Sequence, residues 1–265
     1  MSNFSIQAID EKAYHVLDAG ASSFYVLEGS ERAAVIDTGI SEGKRIMPVV
    51  RKLTKKPRML LVTHAHPDHV YHAGEFDEIY MSHREFEMGA VMFEQMCAGR
   101  GDILRASTDI RTGSVIDLGG RTLEVCEVPG HTPGSVVFYD RGYDQLFCGD
   151  VIGSGIGVWM QVVSALPLTT YRESLIELGR WLVERGGRMR FYGGHYSQQF
   201  QTTLPGGRNP LGMGLLYDMI DLVDGIVEGT IVGRESAAPV PGTYERCLRA
   251  EFGRAQIEYR PSRIR

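Results

Sequence analysis

An apolar run, Met59-Leu60-Leu61-Val62, reads as a buried strand and leads straight into Thr63-His64-Ala65-His66-Pro67-Asp68-His69. Two histidines at i and i+2 on a loop leaving a strand can converge on one metal ion. Asp68 and His69 then point to a neighbouring position as the next helix begins. Imidazole nitrogen and carboxylate oxygen are the donors that zinc and similar borderline ions accept. Taken singly, each residue has an ordinary explanation: a histidine after a strand is usually a satisfied polar group, and a lone Asp68 would be a helix N-cap. Four such residues within the six positions 64–69 read as a metal site.

Three further residues stand where strands end and loops gather. They are His131 in Pro129-Gly130-His131-Thr132-Pro133-Gly134, Asp150 in Phe147-Cys148-Gly149-Asp150, and His195 in Gly193-Gly194-His195. Each follows an apolar strand and lies beside a glycine, which permits the sharp turn that aims a ligand inward. The chain has 8 histidines. The remaining ones, His15, His72 and His83, are read as ordinary.

The surrounding pattern is of mixed type. Tyr25-Val26-Leu27 and Ala33-Ala34-Val35-Ile36 are strands split by a turn, and Ile46, Val49, Val50 and Leu53 follow at helical spacing before the Met59 strand. Helices are expected at 83–96, 170–184 and 211–228, and strands at 122–128, 135–139, 145–148 and 189–192. Strand, helix, strand suggests a mixed sheet covered by helices, an α/β protein. With no interdomain linker, residues 1–265 are expected to form one domain, with 200–265 a C-terminal helical or strap extension. Asp218, Asp221, Asp224 and Glu228 mark a solvated helix face, and Arg246, Arg249, Arg254, Arg260, Arg263 and Arg265 a solvated basic strap.

Composition removes whole classes of function. The net charge of −5 argues against a sequence-independent nucleic-acid binder, which needs a basic surface. No apolar run approaches the roughly 20 residues that span a bilayer, and the N-terminus has no secretory pattern. Cys97, Cys126, Cys148 and Cys247 are far apart with no CxxC pair. They read as reduced thiols of a cytoplasmic protein.

Together these residues resemble the metallo-β-lactamase superfamily. Thr63 to His69 matches its T-H-x-H-x-D-H pattern; His131, Asp150 and His195 follow in the family's order, and Asp37 in Val35-Ile36-Asp37-Thr38-Gly39 matches its first motif. The resemblance implies the αβ/βα four-layer sandwich, two mixed sheets flanked by helices. It also implies two divalent metal ions, zinc expected, with iron or manganese as alternatives. In that scheme His64, His66 and His131 hold one ion and Asp68, His69 and His195 the other. Asp150 bridges them together with a solvent molecule, and Asp37 stands behind to orient a ligand or the loop. Asp68 and Asp150 are the expected catalytic residues. Dications about 3.5–4 Å apart can deprotonate a shared water and clamp attacking and leaving oxygens.

Departures from the family's branches narrow the function. True β-lactamases of this fold lack the bridging aspartate, and flavodiiron oxygen reductases carry a glutamate where His66 stands. Val151-Ile152-Gly153-Ser154 lacks the tyrosine that lactonases place after that aspartate; Ala65 and the acidic last helix depart from glyoxalase II. The expected function is a metal-dependent hydrolase, in which a hydroxide bridging the two ions attacks an ester, thioester, lactone or phosphoester of a small molecule. The alternatives are a mononuclear iron dioxygenase of the same fold and a non-catalytic metal-binding domain. The partners expected are a small-molecule substrate, no nucleic acid and no membrane. Trp159, Met160 and Tyr196 are candidate pocket walls. The methionine-rich helix at 83–96 is suited either to cover the site or to join two chains as a homodimer.

Overall fold

The computed structural model describes residues 4–18, 22–153, 157–186, 189–195, 211–238 and 245–265. Two mixed sheets carry the architecture. The first has seven strands in sequence order: β1 (Ser5–Asp10), β2 (Ala13–Leu17), β3 (Ser23–Glu28), β4 (Ala33–Ile36), β5 (Arg58–Leu61), β6 (Ile79–Met81) and β7 (Thr108–Asp109). It is antiparallel from β1 to β4 and parallel from β4 to β7. Parallel neighbours need a crossover, and helix α1 (Met47–Leu53) supplies the one between β4 and β5. The second sheet runs β13-β11-β10-β9-β8, from β8 (Val115–Asp117), β9 (Thr122–Glu127), β10 (Val136–Asp140), β11 (Gln145–Gly149) and β13 (Arg190–Gly193). Only its β11–β13 pairing is parallel among the described strands.

Alternation along the strands builds the layers. Tyr25, Leu27, Ala34, Ile36, Met59 and Leu61 pack toward Leu123, Val125, Val136, Phe138 and Phe147, the core between the sheets. The residues between them, Phe24, Val26, Val35 and Leu60, face the opposite way onto α1 and Phe93. In the second sheet Val137, Tyr139, Leu146 and Cys148 turn outward to meet helices α5 (Leu168–Val183) and α6 (Met213–Glu228). A strand buried on both faces has no polar side, so these strands read as unbroken apolar runs. The result is the expected four-layer sandwich.

Three features differ from the sequence-based expectation. The helix expected at 83–96 is broken: a 3-10 turn covers His83–Met88, Gly89 has φ 87°, and α3 (Ala90–Met96) starts afresh. A positive φ interrupts the helical ladder, and glycine adopts it without strain. The C-terminal segment is helical over α6 and then adds strands. Strands β14 (Arg234–Ser236), β15 (Cys247–Phe252) and β16 (Ala255–Tyr259) form a third sheet, which β12 (Val158–Met160) joins by pairing in parallel with β16. On α6, Asp221 and Glu228 are exposed, but Asp224 pairs with Arg172 at 3.0 Å and Asp218 accepts the Arg254 amide at 2.9 Å. That half of the acidic stripe fastens α6 to its neighbours.

Strand direction decides where loops collect. The C-terminal ends of β4 and β5 lie on one edge of the first sheet, because the two are parallel. β9, β11 and β13 share a direction in the second, because β9 and β11 are each antiparallel to β10 and β13 follows β11. The two edges are tied together: the Val136 amide donates to Thr63 O at 2.9 Å, and the Ser23 amide to Gly194 O at 2.8 Å.

Candidate metal centre

Every site residue named from the sequence, except Asp37 at the end of β4 and the pocket candidates, lies in the connection that follows β5, β9, β11 or β13. His64 and His66 leave β5 in extended loop, and Pro67 starts the short helix α2 (Pro67–Val70), which carries Asp68 and His69. Proline at a first helical position suits a residue without an N–H. His131 lies in the β9–β10 connection, Asp150 just past β11, and His195 just past β13.

Three imidazoles meet at one point. The His66 Nδ1 lies 3.1 Å from His64 Nε2 and 3.0 Å from His131 Nε2. Their other ring nitrogens are already engaged. His131 Nδ1 donates to the Trp159 carbonyl at 3.0 Å, His66 Nε2 meets Ser164 Oγ at 2.8 Å, and His64 Nδ1 meets Thr63 Oγ1 at 3.2 Å. A neutral imidazole carries one N–H, so an outer donor leaves a lone pair facing inward. All three are held neutral. Burial, with the other imidazoles, keeps His64 well below its usual value, burial and His131 bring His66 to about 3, and burial lowers His131.

The second set lies beside the first. His195 Nε2 is 3.2 Å from Asp150 Oδ2 and 3.3 Å from Asp68 Oδ2, while His69 Nε2 is 3.5 Å from Asp68 Oδ2 and 3.7 Å from Asp150 Oδ1. Asp150 Oδ2 also lies 3.7 Å from His131 Nε2, so this carboxylate reaches both sets. Burial opposes charge on the histidines here, but carboxylates outweigh it: Asp150 and Asp68 raise His195 to about 9, and Asp68, Asp37 and Asp150 raise His69 well above its usual value. Burial likewise opposes charge on Asp150, yet His195 and His69 hold it well below the carboxylate range.

The donor set fits divalent metal. His69 Nε2 and Asp150 Oδ1 are buried with no hydrogen-bond partner. Unpaired buried polar atoms are costly, and a cation satisfies both. Their ligand atoms assemble into three groups, His64/His66/His131, His64/His69/Asp150 and Asp68/His69/His195, each within 4.8 Å. None of these groups includes His15, His72 or His83. His15 meets Ser23 Oγ at 2.8 Å and stacks on Tyr25, and His83 Nε2 lies 3.0 Å from Ser107 O.

Asp37 braces the set from below. Its Oδ1 accepts the Thr63 amide at 2.8 Å, and its Oδ2 accepts Thr63 Oγ1 at 2.7 Å and His69 Nδ1–H at 2.8 Å. The last bond fixes the His69 ring with its Nε2 toward the site. Gly194 admits the approach of the two sheets: a Cβ there would lie 2.3 Å from Asp150 Oδ1 and 2.7 Å from His69 Cε1.

Four supporting groups escaped the sequence reading. The Trp159 carbonyl, Ser164 and Ser22 act on His131, His66 and Asp68, the last by an Oγ–H donated to Oδ2 at 3.2 Å. The fourth is Glu85, fully buried, which accepts Thr132 Oγ1–H at 2.5 Å beside the Ala65 and Gly134 amides. It thereby joins the loop of His64 and His66 to the loop of His131. Burial pushes its carboxyl up to about 7. Of the expected pocket residues, Trp159 is 47% exposed, whereas Met160 is turned into the core, 1% exposed. Tyr196 lies outside the described residues, as do Ser154, Gly155 and Ile156 of the glycine-rich segment.

The profile of the metallo-beta-lactamase superfamily matches residues 17–195, which include every candidate ligand. The chain belongs to this superfamily. Among curated relatives, it is 27% identical over 223 residues to the human acyl-coenzyme A thioesterase MBLAC2, covering 71% of this chain and 77% of that protein. It is 32% identical over 126 residues to a hydroxyacylglutathione hydrolase of Synechococcus sp. (strain JA-2-3B'a(2-13)), 46% of this chain and 45% of that one. The fold is shared with a metallo-beta-lactamase from Pontibacter korlensis, at TM-score 0.58 and 17% identity over 83% of this chain and 99% of that one. It is shared also with ETHE1 from Myxococcus xanthus, at TM-score 0.52 and 18% identity over 84% of each. The curated relatives named here are hydrolases, and the described residues of this chain include candidate divalent-metal groups. No helix among the described residues is long and apolar enough to cross a membrane.

Proposed function

We propose that this protein hydrolyses small-molecule thioesters at a two-metal centre, with zinc the expected ion. The observation that carries the reading is the convergence of ligand atoms from seven side chains, with His69 Nε2 and Asp150 Oδ1 left unpaired. The relatives named for thioester substrates supply the bond class. His64, His66 and His131 would hold one ion and Asp68, His69 and His195 the other, with Asp150 between. Bound there, the pair would supply Lewis acidity and a water ionised near neutral pH.

The chain's own groups have distinct tasks. Asp150 Oδ2, which faces both His131 and His195, orients the attacking water and accepts its proton. Asp68 holds His195 and His69 in place for the leaving-group side. Trp159, tied through its carbonyl to His131 and largely exposed, is the candidate platform for the acyl chain. The four buried free cysteines support a reducing, cytoplasmic location.

A panel of acetyl-CoA, S-lactoylglutathione, a simple ester and a lactone tests the reading. Thioester hydrolysis that falls at least about a thousandfold in Asp150→Ala is expected. Full activity in that variant, or no thioester cleavage by the metal-loaded wild type, refutes it.

A further inference from the structure

A cleft of about 380 Å³ opens just past His69, walled by Lys44, Arg45, Tyr71, His72, Glu75 and Arg100. It shares its backbone with the metal centre. Thr38 Oγ1 donates to the His69 carbonyl and accepts the His72 amide, both at 3.2 Å. We propose that Lys44, Arg45 and Arg100 form an anion-binding subsite, which holds the charged end of the thioester's thiol carrier, a phosphate or a carboxylate, while the thioester lies at the metal centre. This inference rests on the thioesterase reading above.

Charge is the first argument. Three cations face one carboxylate, and that carboxylate is already engaged: Glu75 accepts the Ile46 and Met47 amides at 3.1 and 3.0 Å, Arg45 Nε at 3.3 Å, and His72 Nδ1 at 3.1 Å. The Lys44 ammonium has no hydrogen bond or ion pair among the described residues. On a chain of net charge −5, a cleft with surplus positive charge concentrates anions locally.

Rigidity is the second. Arg100 donates from Nε to the Tyr71 carbonyl at 2.9 Å and from Nη1 to the Ala98 carbonyl at 2.7 Å, and its guanidinium lies 4.8 Å from the centre of the Tyr71 ring. These contacts orient it before any ligand arrives, and Nη2 remains as a donor. Guanidinium suits phosphate and carboxylate oxygens equally.

The test compares wild type with the double variant Lys44→Ala/Arg45→Ala, since both side chains are exposed and their loss removes little packing. The substrates are acetyl-CoA, S-acetylglutathione and the uncharged S-acetyl-N-acetylcysteamine. Calorimetry adds the binding of adenosine 3′,5′-bisphosphate and S-methylglutathione, which carry no free thiol. The double variant should lower kcat/KM for an anionic thioester about tenfold more than for the uncharged one. A selective loss for acetyl-CoA assigns the subsite to phosphate, and a selective loss for S-acetylglutathione assigns it to carboxylate. Equal ratios for all three overturn the subsite and leave the thioesterase reading standing. If the wild type cleaves no thioester, that reading fails and calorimetry decides: weaker binding of either probe in the variant supports an anion site, and unchanged binding of both overturns it.

Discussion

Asp37 takes a left-handed backbone conformation, φ 61°, where a side chain other than glycine is strained. Strain there is offset by what the carboxylate reaches from that position: the Thr63 amide, the Thr63 hydroxyl and His69 Nδ1. Asp37→Ala should therefore weaken metal affinity about 10–100-fold, read by competition with a chromophoric chelator. Affinity equal to wild type would remove Asp37 from the site. His15 behaves differently, as a structural histidine held neutral by burial, its pKa lowered from 6.5 to about 4. Below pH 6.5 the unfolded chain takes up a proton that the folded chain refuses, so this group's contribution is complete above pH 6.5 and is lost as pH falls toward 4. Relative to His15→Gln, wild-type stability should drop by at most about 3 kcal/mol across that window, measured by urea unfolding at several pH values. Parallel pH profiles for the two proteins would contradict it. The metal-facing residues were legible in the sequence because their types and strand-end positions are unusual together. Glu85, Ser164 and Ser22 were not, because each acts through an approach between segments distant in the chain, and nothing in its own neighbourhood marks it.

Strand ends are where the elements become a site. β13 ends in Gly193-Gly194-His195, and Gly194 lets the loop pass close under Asp150 and His69. Gly194→Ala should leave the far-UV circular dichroism spectrum unchanged and abolish stoichiometric metal binding, because the added methyl displaces two ligand side chains while both sheets keep their cores. A variant that still binds wild-type amounts of metal would show that the two loops are not held this closely. Strands β3, β4, β5, β9, β10, β11 and β13 and helices α1, α5 and α6 were legible as apolar runs with turn signals, within a residue or two, whereas β1, β2, β15 and β16 were not read. The helix expected at 83–96 was misread because Phe86, Met88, Met92, Phe93 and Met96 mimic a continuous period across Gly89, and a single glycine inside a periodic stretch is a weak signal. β12 and β14, with three residues each, are too short for any period to register, and β12 finds its partner β16 far along the chain.

At the scale of the whole molecule, two sheets meet with their loop-bearing edges together, and the third sheet carries Trp159, whose carbonyl orients His131. The tail is thus part of how the site is built, although composition marked it only as basic. On a chain of net charge −5, the imidazoles divide into two electrostatic sets. Burial and neighbouring imidazoles lower the first histidine set, while Asp68 and Asp150 raise the second, whose protons a bound metal would displace. Two sets would hold two ions, as proposed above. The most direct test is to strip the protein with a chelator and titrate Zn²⁺ or Mn²⁺ back at pH 7.5 while following thioester hydrolysis. Activity should rise to a plateau at two equivalents of metal per chain. A plateau at one equivalent, or activity restored only by a single iron ion, would contradict it.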